Sequence, residues 1–381
     1  MITREECPIC GTADTTSIAL RDFQGMRSIV PFASYELLQC RSCGMMFAGR
    51  MEKSMDLLAY YEMLSKYETK AFSEASEAWT EYHIVASLLQ KFVPKSSKIL
   101  DLGCGNGNLL TVLQKAGYQD LMGVDPSKKN CEKITELHGI PAHEGALGGD
   151  ISFLPRHQYD LVILTGVLEH ILPLRQALDE IVTLLSPQGM IFIAVPDIGA
   201  FPSVHDFYQE LSVEHVNYFS RGSLTQLFSR IGFSCIEYSL AGDGSYSLWQ
   251  KPEHAVPLPE IDLCDAERMS QYLRQADEVG KQIAARIEPF ADQQYYIWGT
   301  GTHTAMLFQK KYVHPHNVLG FVDSNQNYAG HIIYGKEIFG PEELKRRPKA
   351  PILISSQYAQ QSIKEQIRSM GISQPVICLY D

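Results

Sequence analysis

The chain has 381 residues, with 44 acidic side chains against 33 lysines and arginines, and a formal net charge of −11. This length predicts two or three domains with cores of their own, and the acidic balance argues against nucleic acid as the main partner. No apolar run reaches the ~18 residues of a membrane span, and the first residues lack the apolar segment of a signal peptide. We therefore expect a soluble, cytoplasmic protein.

Residues 1–50 carry two Cys-x-x-Cys pairs, which are Cys7 with Cys10 and Cys40 with Cys43. Each pair can present two thiolates to one ion, the pattern of a tetrahedral zinc site. Four thiolates leave no open coordination position, so the predicted zinc is structural and not catalytic. Disulfides are disfavoured because nothing indicates an oxidising compartment. The segment has few apolar positions, and we expect it to need the metal for folding.

Residues 51–96 have a helical pattern that is rich in tyrosine, and Pro94 interrupts it before the first strongly apolar strand. A glycine-rich turn then follows the strand predicted at 98–102, and a helix is predicted from residue 107. Glycines at such a turn let the backbone approach a ligand closely. They stand at Gly103, Gly105 and Gly107.

Two acids flank this turn. Asp125 ends the next strand, 22 residues after Gly103, where it is placed for two ribose hydroxyls. Asp101 precedes the glycines, where it can reach the amino acid part of S-adenosylmethionine (SAM). The turn reads Asp-x-Gly-x-Gly-x-Gly and not the Gly-x-Gly-x-x-Gly typical of NAD, and it resembles motif I of class I SAM-dependent methyltransferases. The alternative is a tight strand–helix turn that binds no ligand.

Strands and helices alternate after this unit, as in a doubly wound α/β sheet. Strands are predicted at 98–102, 120–124, 140–143, 160–164, 189–195, 234–239 and 245–250, and helices at 107–116, 127–138, 174–185 and 221–231. On this arrangement the adenine would lie against the loop 144–147, with Leu147 as its apolar contact. Gly166, which follows the strand 160–164, would border the sulfonium.

Two histidines are candidates for the chemistry. His170 follows the strand 160–164, at the carboxyl edge of the sheet where ligands bind. His215 lies beside Glu214 in a loop predicted above the same edge. A carboxylate can raise the basicity of a neighbouring imidazole and orient it, so the pair can act as a general base. The alternatives are a structural role for His170, and a helix-capping Glu214 with a His215 bonded to backbone.

A linker with three prolines spans 251–259, and a long polar helix is predicted at 265–290. A second strand–turn–helix pattern then contains Gly299 and Gly301 and leads to a strand that ends in Asp323. The third glycine of the first unit has no counterpart here. The pattern is typical of a Rossmann-like scaffold, and a second cofactor site is the alternative.

The order of these parts resembles the sugar C-methyltransferases, a SAM-dependent family that acts on nucleotide-linked deoxyketosugars in deoxysugar and natural-product biosynthesis. The resemblance rests on both cysteine pairs, the tyrosine-rich helical segment, the glycine turn, the Glu-His-x-x-Tyr-Phe run that starts at Glu214, and three C-terminal runs at 297–301, 320–325 and 340–344. It implies an α/β class I methyltransferase sheet at 97–252, a zinc-binding domain at 1–50, a substrate-contacting helical segment at 51–96 and a Rossmann-like domain at 253–381.

The resemblance also implies a mechanism. His215, supported by Glu214, would remove the proton beside the ketone, and the enolate would attack the SAM methyl group in line. His170 would stabilise charge at the oxygen, and Tyr67 or Tyr61 would hold the substrate. Family members tend to have a tyrosine two residues before the Glu-His pair, where this chain has a serine at position 212.

That serine leaves other readings open. Tyr208, one helical turn earlier, would share its face if the segment is helical, and Tyr218 is a second possible substitute. Methylation of oxygen or nitrogen on a sugar or another small metabolite is the second function consistent with the sequence. A non-catalytic binding protein on a methyltransferase scaffold is the third, and a monomer or a dimer is expected in each case.

Overall fold

The structure is a computed structural model that describes residues 4–64, 77–254 and 257–381. These residues form three β-sheets of four, seven and six strands. Within the described ranges, no helix combines the length and the apolar composition that crossing a bilayer requires.

The first sheet is antiparallel and includes one strand from far along the chain. It contains β1 (Thr15–Asp22), β2 (Phe32–Cys40), β3 (Met46–Lys53) and β9 (Asn217–Tyr218), in that order. Since β3 extends past residue 50, the predicted end of the first domain falls inside a strand. The pairing of β3 with β9 ties the N-terminal segment to the loop that carries Glu214 and His215.

Two helices, α1 (Leu57–Leu64) and α2 (Glu77–Phe92), lead to the central sheet. Its strands are β4 (Lys98–Leu102), β5 (Asp120–Asp125), β6 (Ala142–Glu144), β7 (Tyr159–Thr165), β8 (Leu185–Pro196), β10 (Ser234–Ala241) and β11 (Gly244–Gln250). The helices between them are α3 (Asn108–Lys115), α4 (Lys128–His138), α5 (Leu174–Leu184) and α6 (Arg221–Arg230).

The strand order of the central sheet is β10-β11-β8-β7-β4-β5-β6. All neighbours from β8 to β6 are parallel, whereas β11 is antiparallel to both β8 and β10. The chain builds outward from β4 to β6 and then returns to add β7 on the other side of β4. Such a reversal opens a crevice at the carboxyl ends of the two strands, where doubly wound sheets bind ligands.

The third sheet follows α7 (Asp265–Ile287). It contains β12 (Tyr295–Trp298), β13 (Val318–Val322), β14 (Ile332–Ile333), β15 (Lys336–Phe339), β16 (Ile352–Ile354) and β17 (Val376–Cys378), with α8 (Thr302–Gln309) and α9 (Gln360–Ser369) between strands. The order is β14-β15-β13-β12-β16-β17, and only the β14–β15 pair is antiparallel.

One buried apolar cluster joins the first sheet, the loop after β8, α7 and the third sheet. Tyr35, Leu211, Tyr272 and Ile297 all belong to it. Fully burying an apolar side chain of this size stabilises a fold by ~1.5–3 kcal/mol, so the shared core fixes these parts against one another. The loop that ends at His215 runs through this junction.

Candidate active site

The turn between β4 and α3 has three glycines with left-handed backbone, at φ +84° for Gly103, +52° for Gly105 and +73° for Gly107. A Cβ atom on Gly103 would lie 2.5 Å from Val167 Cγ2, and one on Gly107 would lie 2.7 Å from Ile134 Cγ1. A Cβ on Gly105 would meet nothing within 4 Å. Two of the glycines are therefore required by packing, and the third faces open space that a ligand can fill.

Asp125 shapes this turn from the end of β5. Its Oδ2 accepts a hydrogen bond from the Gly105 backbone N–H at 2.8 Å, and its Oδ1 accepts one from the Ser127 N–H at 2.9 Å. The carboxylate therefore lies at the crevice beside the glycines, as predicted from the spacing. Its role toward a ribose stays a prediction.

Asp101 is the other acid of the crevice, and it is almost fully buried. Its Oδ1 has no hydrogen-bond partner in the described part of the chain. Burial, followed by the charge of Asp125, raises the pKa of Asp101 to about 7. A buried carboxylate oxygen without a partner is costly, and a cationic ligand group such as the ammonium of SAM would satisfy it. The residues of the crevice fit SAM in this respect.

Gly166 and Leu147 border the same edge of the sheet. Gly166 directly follows β7, the strand next to β4, and its backbone is left-handed at φ +67°. Leu147 lies in the loop after β6, and its side chain packs into the apolar core beneath the sheet. The contacts predicted for Leu147 with the adenine and for Gly166 with the sulfonium stay predictions.

The loop after β7 and the loop before β9 are cross-linked by hydrogen bonds. His170 Nδ1 lies 3.2 Å from the backbone oxygen of Glu214, and the Val216 N–H donates to the Glu169 oxygen at 2.8 Å. The ring centroids of His170 and His215 are 5.0 Å apart. The two histidines predicted separately from the sequence therefore form one cluster above the carboxyl edge of the sheet.

Helix α1 brings two tyrosines to this cluster. The Tyr60 hydroxyl donates to Glu214 Oε1 at 2.7 Å, and the ring of Tyr61 lies 5.7 Å from that of His170. Burial and the Glu214 carboxylate raise the pKa of Tyr60 well above its usual value. The sequence pattern did not single out Tyr60, because nothing local distinguishes it from its neighbour. Tyr67 lies outside the described residues.

Glu169 adds a second carboxyl group, and its side chain is nearly inaccessible. Its Oε1 is 3.9 Å from His170 Nε2, and within the described ranges its Oε2 has no hydrogen-bond partner. Burial raises the pKa of Glu169, and the neighbouring His170 opposes that effect. Donor atoms of Glu169, His170 and His215 all lie within 4.8 Å of one another. This cluster can accept, hold and pass on a proton.

Tyr208 is not part of the cluster, because the helical segment on which its candidacy depended is not present. The segment around Tyr208 consists of turns, with φ +62° at that residue. Its hydroxyl donates to Asp277 of α7 at 2.6 Å. The charged groups of Arg21 and Lys310 lie over its ring, 5.4 and 4.9 Å from the centroid. Because Asp277 is 69 positions away in the sequence, no local sequence pattern could predict this contact.

Tyr218 and Ser212 support the loop instead. The Tyr218 hydroxyl is 2.6 Å from that of Tyr35 and donates to the His215 backbone oxygen at 3.2 Å. Ser212 Oγ accepts from the Glu214 N–H at 3.3 Å. These contacts fix the backbone on both sides of the Glu-His pair.

The four predicted cysteine ligands lie together at the edge of the first sheet. The sulfur atoms of Cys7 and Cys43 are 3.5 Å apart, as are those of Cys10 and Cys40, and all four lie within 4.8 Å of one another. Zinc–sulfur bonds of ~2.3 Å in a tetrahedron require sulfur separations of ~3.8 Å. The donor set therefore fits a tetrahedral zinc ion.

Comparison with known protein families identifies the type of domain to which the central sheet belongs. Residues 74–238 match the model of the family described as "Methyltransferase domain". The chain contains a class I SAM-dependent methyltransferase domain. The predicted enzyme class is thereby confirmed at the level of this domain, and so is the α/β methyltransferase fold. Residues 291–378 match a second family model, described as "C2185-like, N-terminal".

The methyltransferase domain has curated relatives of several kinds. The chain is 23% identical to the C-methyltransferase NovU of Streptomyces niveus over 293 residues, which are 70% of this chain and 66% of that protein. It is 24% identical to the eEF1A lysine and N-terminal methyltransferase of Mus musculus over 244 residues, 59% of this chain and 32% of that one. It is 31% identical to a ubiquinone biosynthesis O-methyltransferase of Bradyrhizobium diazoefficiens over 103 residues, 26% of this chain and 39% of that one.

The chain thus spans between about a third and two thirds of the length of these relatives. A similar solved structure is the PH0226 protein of Pyrococcus horikoshii, at 22% identity and a TM-score of 0.40, covering 51% of this chain and 99% of that one. The CurJ carbon methyltransferase is similar at 16% identity and a TM-score of 0.35, covering 45% of this chain and 53% of that one.

Proposed function

We propose that the protein is a SAM-dependent C-methyltransferase that methylates the carbon next to the keto group of a nucleotide-linked deoxyketosugar. The observation that carries this proposal is the cluster of Glu214, His215 and His170 above the carboxyl edge of the methyltransferase sheet. C-methylation needs a base at a carbon acid and a donor for the enolate oxygen. The likeness to the C-methyltransferase NovU over 70% of the chain supports the same reaction type.

The crevice between β4 and β7 would hold SAM, which supplies an activated methyl group when bound. Asp101 would bind the ammonium group, and Asp125 the ribose hydroxyls. Gly103, Gly105 and Gly107 would line the methionine and ribose. Leu147 would contact the adenine and Gly166 would border the sulfonium. Because the histidine cluster follows β7 at the carboxyl edge of the same sheet, the methyl group and the base would meet there.

The hydrogen bonds of the cluster suggest the division of labour. The Glu214 backbone oxygen can only accept, so His170 Nδ1 carries a proton and its Nε2 is the basic nitrogen. His215 would take the proton from the carbon beside the ketone. With a second proton, on Nε2, His170 would be a charge-assisted donor to the developing enolate oxygen, roughly twice as strong as a neutral donor. Tyr67 would hold the substrate.

We further propose that Cys7, Cys10, Cys40 and Cys43 hold a structural zinc ion. The tetrahedral fit of the sulfur atoms supports this, as do the backbone N–H groups of Ile9 and Ser42, which lie 3.4 Å from the sulfurs of Cys7 and Cys40. The third sheet would act as a Rossmann-like scaffold that closes the substrate cleft.

Methylation of oxygen or nitrogen is the second candidate function. Ser212 stands where the resembled family has a tyrosine, and its hydroxyl is occupied by the loop backbone. In this reading His215 would deprotonate a hydroxyl or an amine of a small metabolite. The identity to an O-methyltransferase over a quarter of the chain favours it as the alternative.

The test is incubation with methyl-labelled SAM and a panel of nucleotide-linked 4-ketosugars, followed by carbon NMR of the product. A label on a ring carbon beside the ketone supports C-methylation, and a label on oxygen or nitrogen selects the second candidate. Without SAM, solvent deuterium should enter that carbon. Exchange should be lost in His215→Ala and kept in His314→Ala, where the altered histidine is exposed. A requirement for an added divalent metal, in protein that keeps the zinc of its four-cysteine cluster, would contradict a metal-free base.

A further inference from the structure

The histidine cluster contains a carboxyl group that the proposed mechanism does not use, that of Glu169. The residue is 3% exposed, and its Oε2 has no hydrogen-bond partner in the described part of the chain. Among the described residues, its ion-pair contact is with His170, and no lysine or arginine lies beside it. A buried carboxylate oxygen without a partner costs free energy, and a bound cation would remove that cost.

The space beside Glu169 has the dimensions of a metal site. Its Oε1 is 3.9 Å from His170 Nε2, which is too long for a direct hydrogen bond. A metal ion with bonds of ~2.0–2.2 Å to a carboxylate oxygen and to an imidazole nitrogen would bridge that distance. Ligand atoms of Glu169, His170 and His215 all lie within 4.8 Å of one another. Small side-chain rotations therefore bring all three to one ion.

The two histidines are oriented as metal ligands. His170 Nδ1 lies 3.2 Å from the Glu214 backbone oxygen, which can only accept, so Nδ1 carries the proton and Nε2 keeps its lone pair. Metal-binding histidines have this arrangement, in which the ring nitrogen away from the metal donates to a carbonyl or carboxylate oxygen. The ring centroids of His170 and His215 are 5.0 Å apart, close to the ~5 Å expected for two imidazoles on one tetrahedral ion.

The donor set selects the kind of ion. Two imidazoles with one carboxylate suit zinc and similar divalent ions, whereas magnesium and calcium prefer oxygen ligands. Three protein ligands leave one coordination position open, unlike the four thiolates of the cysteine cluster. His215 is half-buried, so the cluster can be reached from outside the core.

We infer that Glu169, His170 and His215 form a second metal site, which binds zinc or a similar divalent ion and inhibits methyl transfer while the ion is bound. Binding follows from the geometry of the cluster alone. Inhibition rests on the proposed function, because the ion would occupy His215, the base, and His170 Nε2, the donor to the enolate oxygen. The ion and the substrate proton thus compete for the same lone pairs.

The first test is calorimetry with Zn²⁺ alone, on protein that already holds one equivalent at the four-cysteine cluster. We expect one further equivalent to bind, and Mg²⁺ at the same concentration should not displace it. Glu169→Gln keeps the shape of the side chain and should raise the dissociation constant at least about tenfold. His215→Ala, at a half-buried position, should do the same, so the result does not depend on the folding of one variant.

His314→Ala is the control for zinc binding elsewhere on the surface. His314 is exposed and its ring is stacked on that of His316, and such a pair can bind zinc without any designed site. This variant should keep the further equivalent with wild-type affinity. Loss of the equivalent in His314→Ala, or undiminished affinity in both Glu169→Gln and His215→Ala, would overturn the inference.

Activity measurements keep this inference separate from the proposed function. Binding of the further equivalent should slow deuterium exchange and methyl transfer at least about tenfold, because it removes the general base. Zinc binding without turnover of any ketosugar would support the site and reject the proposed reaction. Turnover in protein that binds no further equivalent would reject the site and leave the reaction standing. A rate that stays the same or rises on binding would overturn the assignment of the ion as an inhibitor.

Discussion

At the scale of one residue, the protonation state of Asp101 determines whether the crevice can bind a cationic ligand. Its pKa of about 7 lies above the ordinary value, so in the free protein the carboxyl group becomes neutral as the pH falls below 7. A neutral carboxyl cannot pair with an ammonium group. We therefore expect the affinity for S-adenosylhomocysteine, measured by calorimetry, to fall progressively between pH 7.5 and 5.5.

The substitution Asp101→Asn isolates this carboxylate. It should weaken the affinity at pH 8 by roughly 10- to 100-fold, which corresponds to the ~1.5–3 kcal/mol of a hydrogen bond to a charged group, and it should flatten the pH dependence. Asp120→Asn, at the exposed start of β5, should change neither. Wild-type affinity and pH dependence in Asp101→Asn would show that the ligand's ammonium binds elsewhere.

Substitution of Gly105 can distinguish the loss of space for a ligand from the effect of backbone strain. Gly105→Ala places a methyl group in open space at φ +52°, and Gly139→Ala does the same at φ +64° beyond the end of α4. Both substitutions should lower the free energy of unfolding by ~1–2 kcal/mol, the cost of a left-handed residue with a side chain. Only Gly105→Ala should also weaken binding of S-adenosylhomocysteine, by calorimetry. Equal ligand affinities in the two variants would contradict a ligand at this turn.

The cysteine cluster acts at the scale of an element, because it fixes the connection between β2 and β3. Cys40 ends β2, and β3 begins at Met46, which pairs with Tyr218 just after the Glu-His loop. We expect Cys40→Ser to lose about one equivalent of zinc, by elemental analysis, and to reduce turnover by at least tenfold. Affinity for S-adenosylhomocysteine should change by less than about twofold, because β4 and β7 build that crevice.

The control for this variant is Cys264→Ser, since Cys264 is exposed and lies outside the cluster. It should keep both its zinc and its turnover. Full zinc content in Cys40→Ser would contradict the ligand assignment. Full turnover after verified zinc loss would instead show that the loop holds its position without the metal.

The elements of the central sheet could be predicted from the sequence because their cause is local. The apolar run 160–164 predicts a strand that the structure places at Tyr159–Thr165, buried between helices on both faces. Glycine turns marked where such strands end. The glycines and acids of the crevice followed from the same signal, since their spacing is set within one strand–turn–helix unit.

The rest of the site depends on contacts between distant segments, which leave no pattern in a local window. Tyr60 bonds to Glu214 across 154 positions, and Tyr208 bonds to Asp277 across 69. The sequence did not predict the contact of Tyr60 with Glu214. The contact with Asp277 holds Tyr208, a predicted site residue, away from the histidine cluster. Glu214 and Tyr208 both lie in the loop before β9. The conformation of this loop depends on contacts with all three sheets.

At the scale of the whole molecule, the loop after β8 is where the three sheets meet. Arg4 binds the backbone of Val216 and Leu172 from the N-terminal side. From the C-terminal side, Thr302 Oγ1 accepts from the Val213 N–H at 3.2 Å. The residues that flank Glu214 and His215 are therefore held by both outer parts of the chain.

The same junction contains a buried acidic group whose charge should control overall stability. Glu210 lies beside Asp206 and Asp243, and burial together with these two acids raises its pKa to about 9. The Tyr272 hydroxyl donates to Asp206 Oδ1 at 2.7 Å and accepts from the Glu210 N–H. The folded state thus holds a proton that the unfolded chain releases near the ordinary value of 4.5 for glutamate.

A pKa raised on folding gives stability that is fully present below the unfolded value and is lost as the pH rises through the folded one. The free energy of unfolding in urea should therefore fall between pH 5 and pH 9. Glu210→Gln keeps the shape and removes the proton, so it should reduce this loss by more than about 1 kcal/mol. Glu260→Gln, at an exposed position outside this acidic group, should leave the slope as it is. If Glu210→Gln and wild type lose stability in parallel across this range, the proton is held by another member of the group, and Asp206→Asn becomes the variant that should flatten the curve.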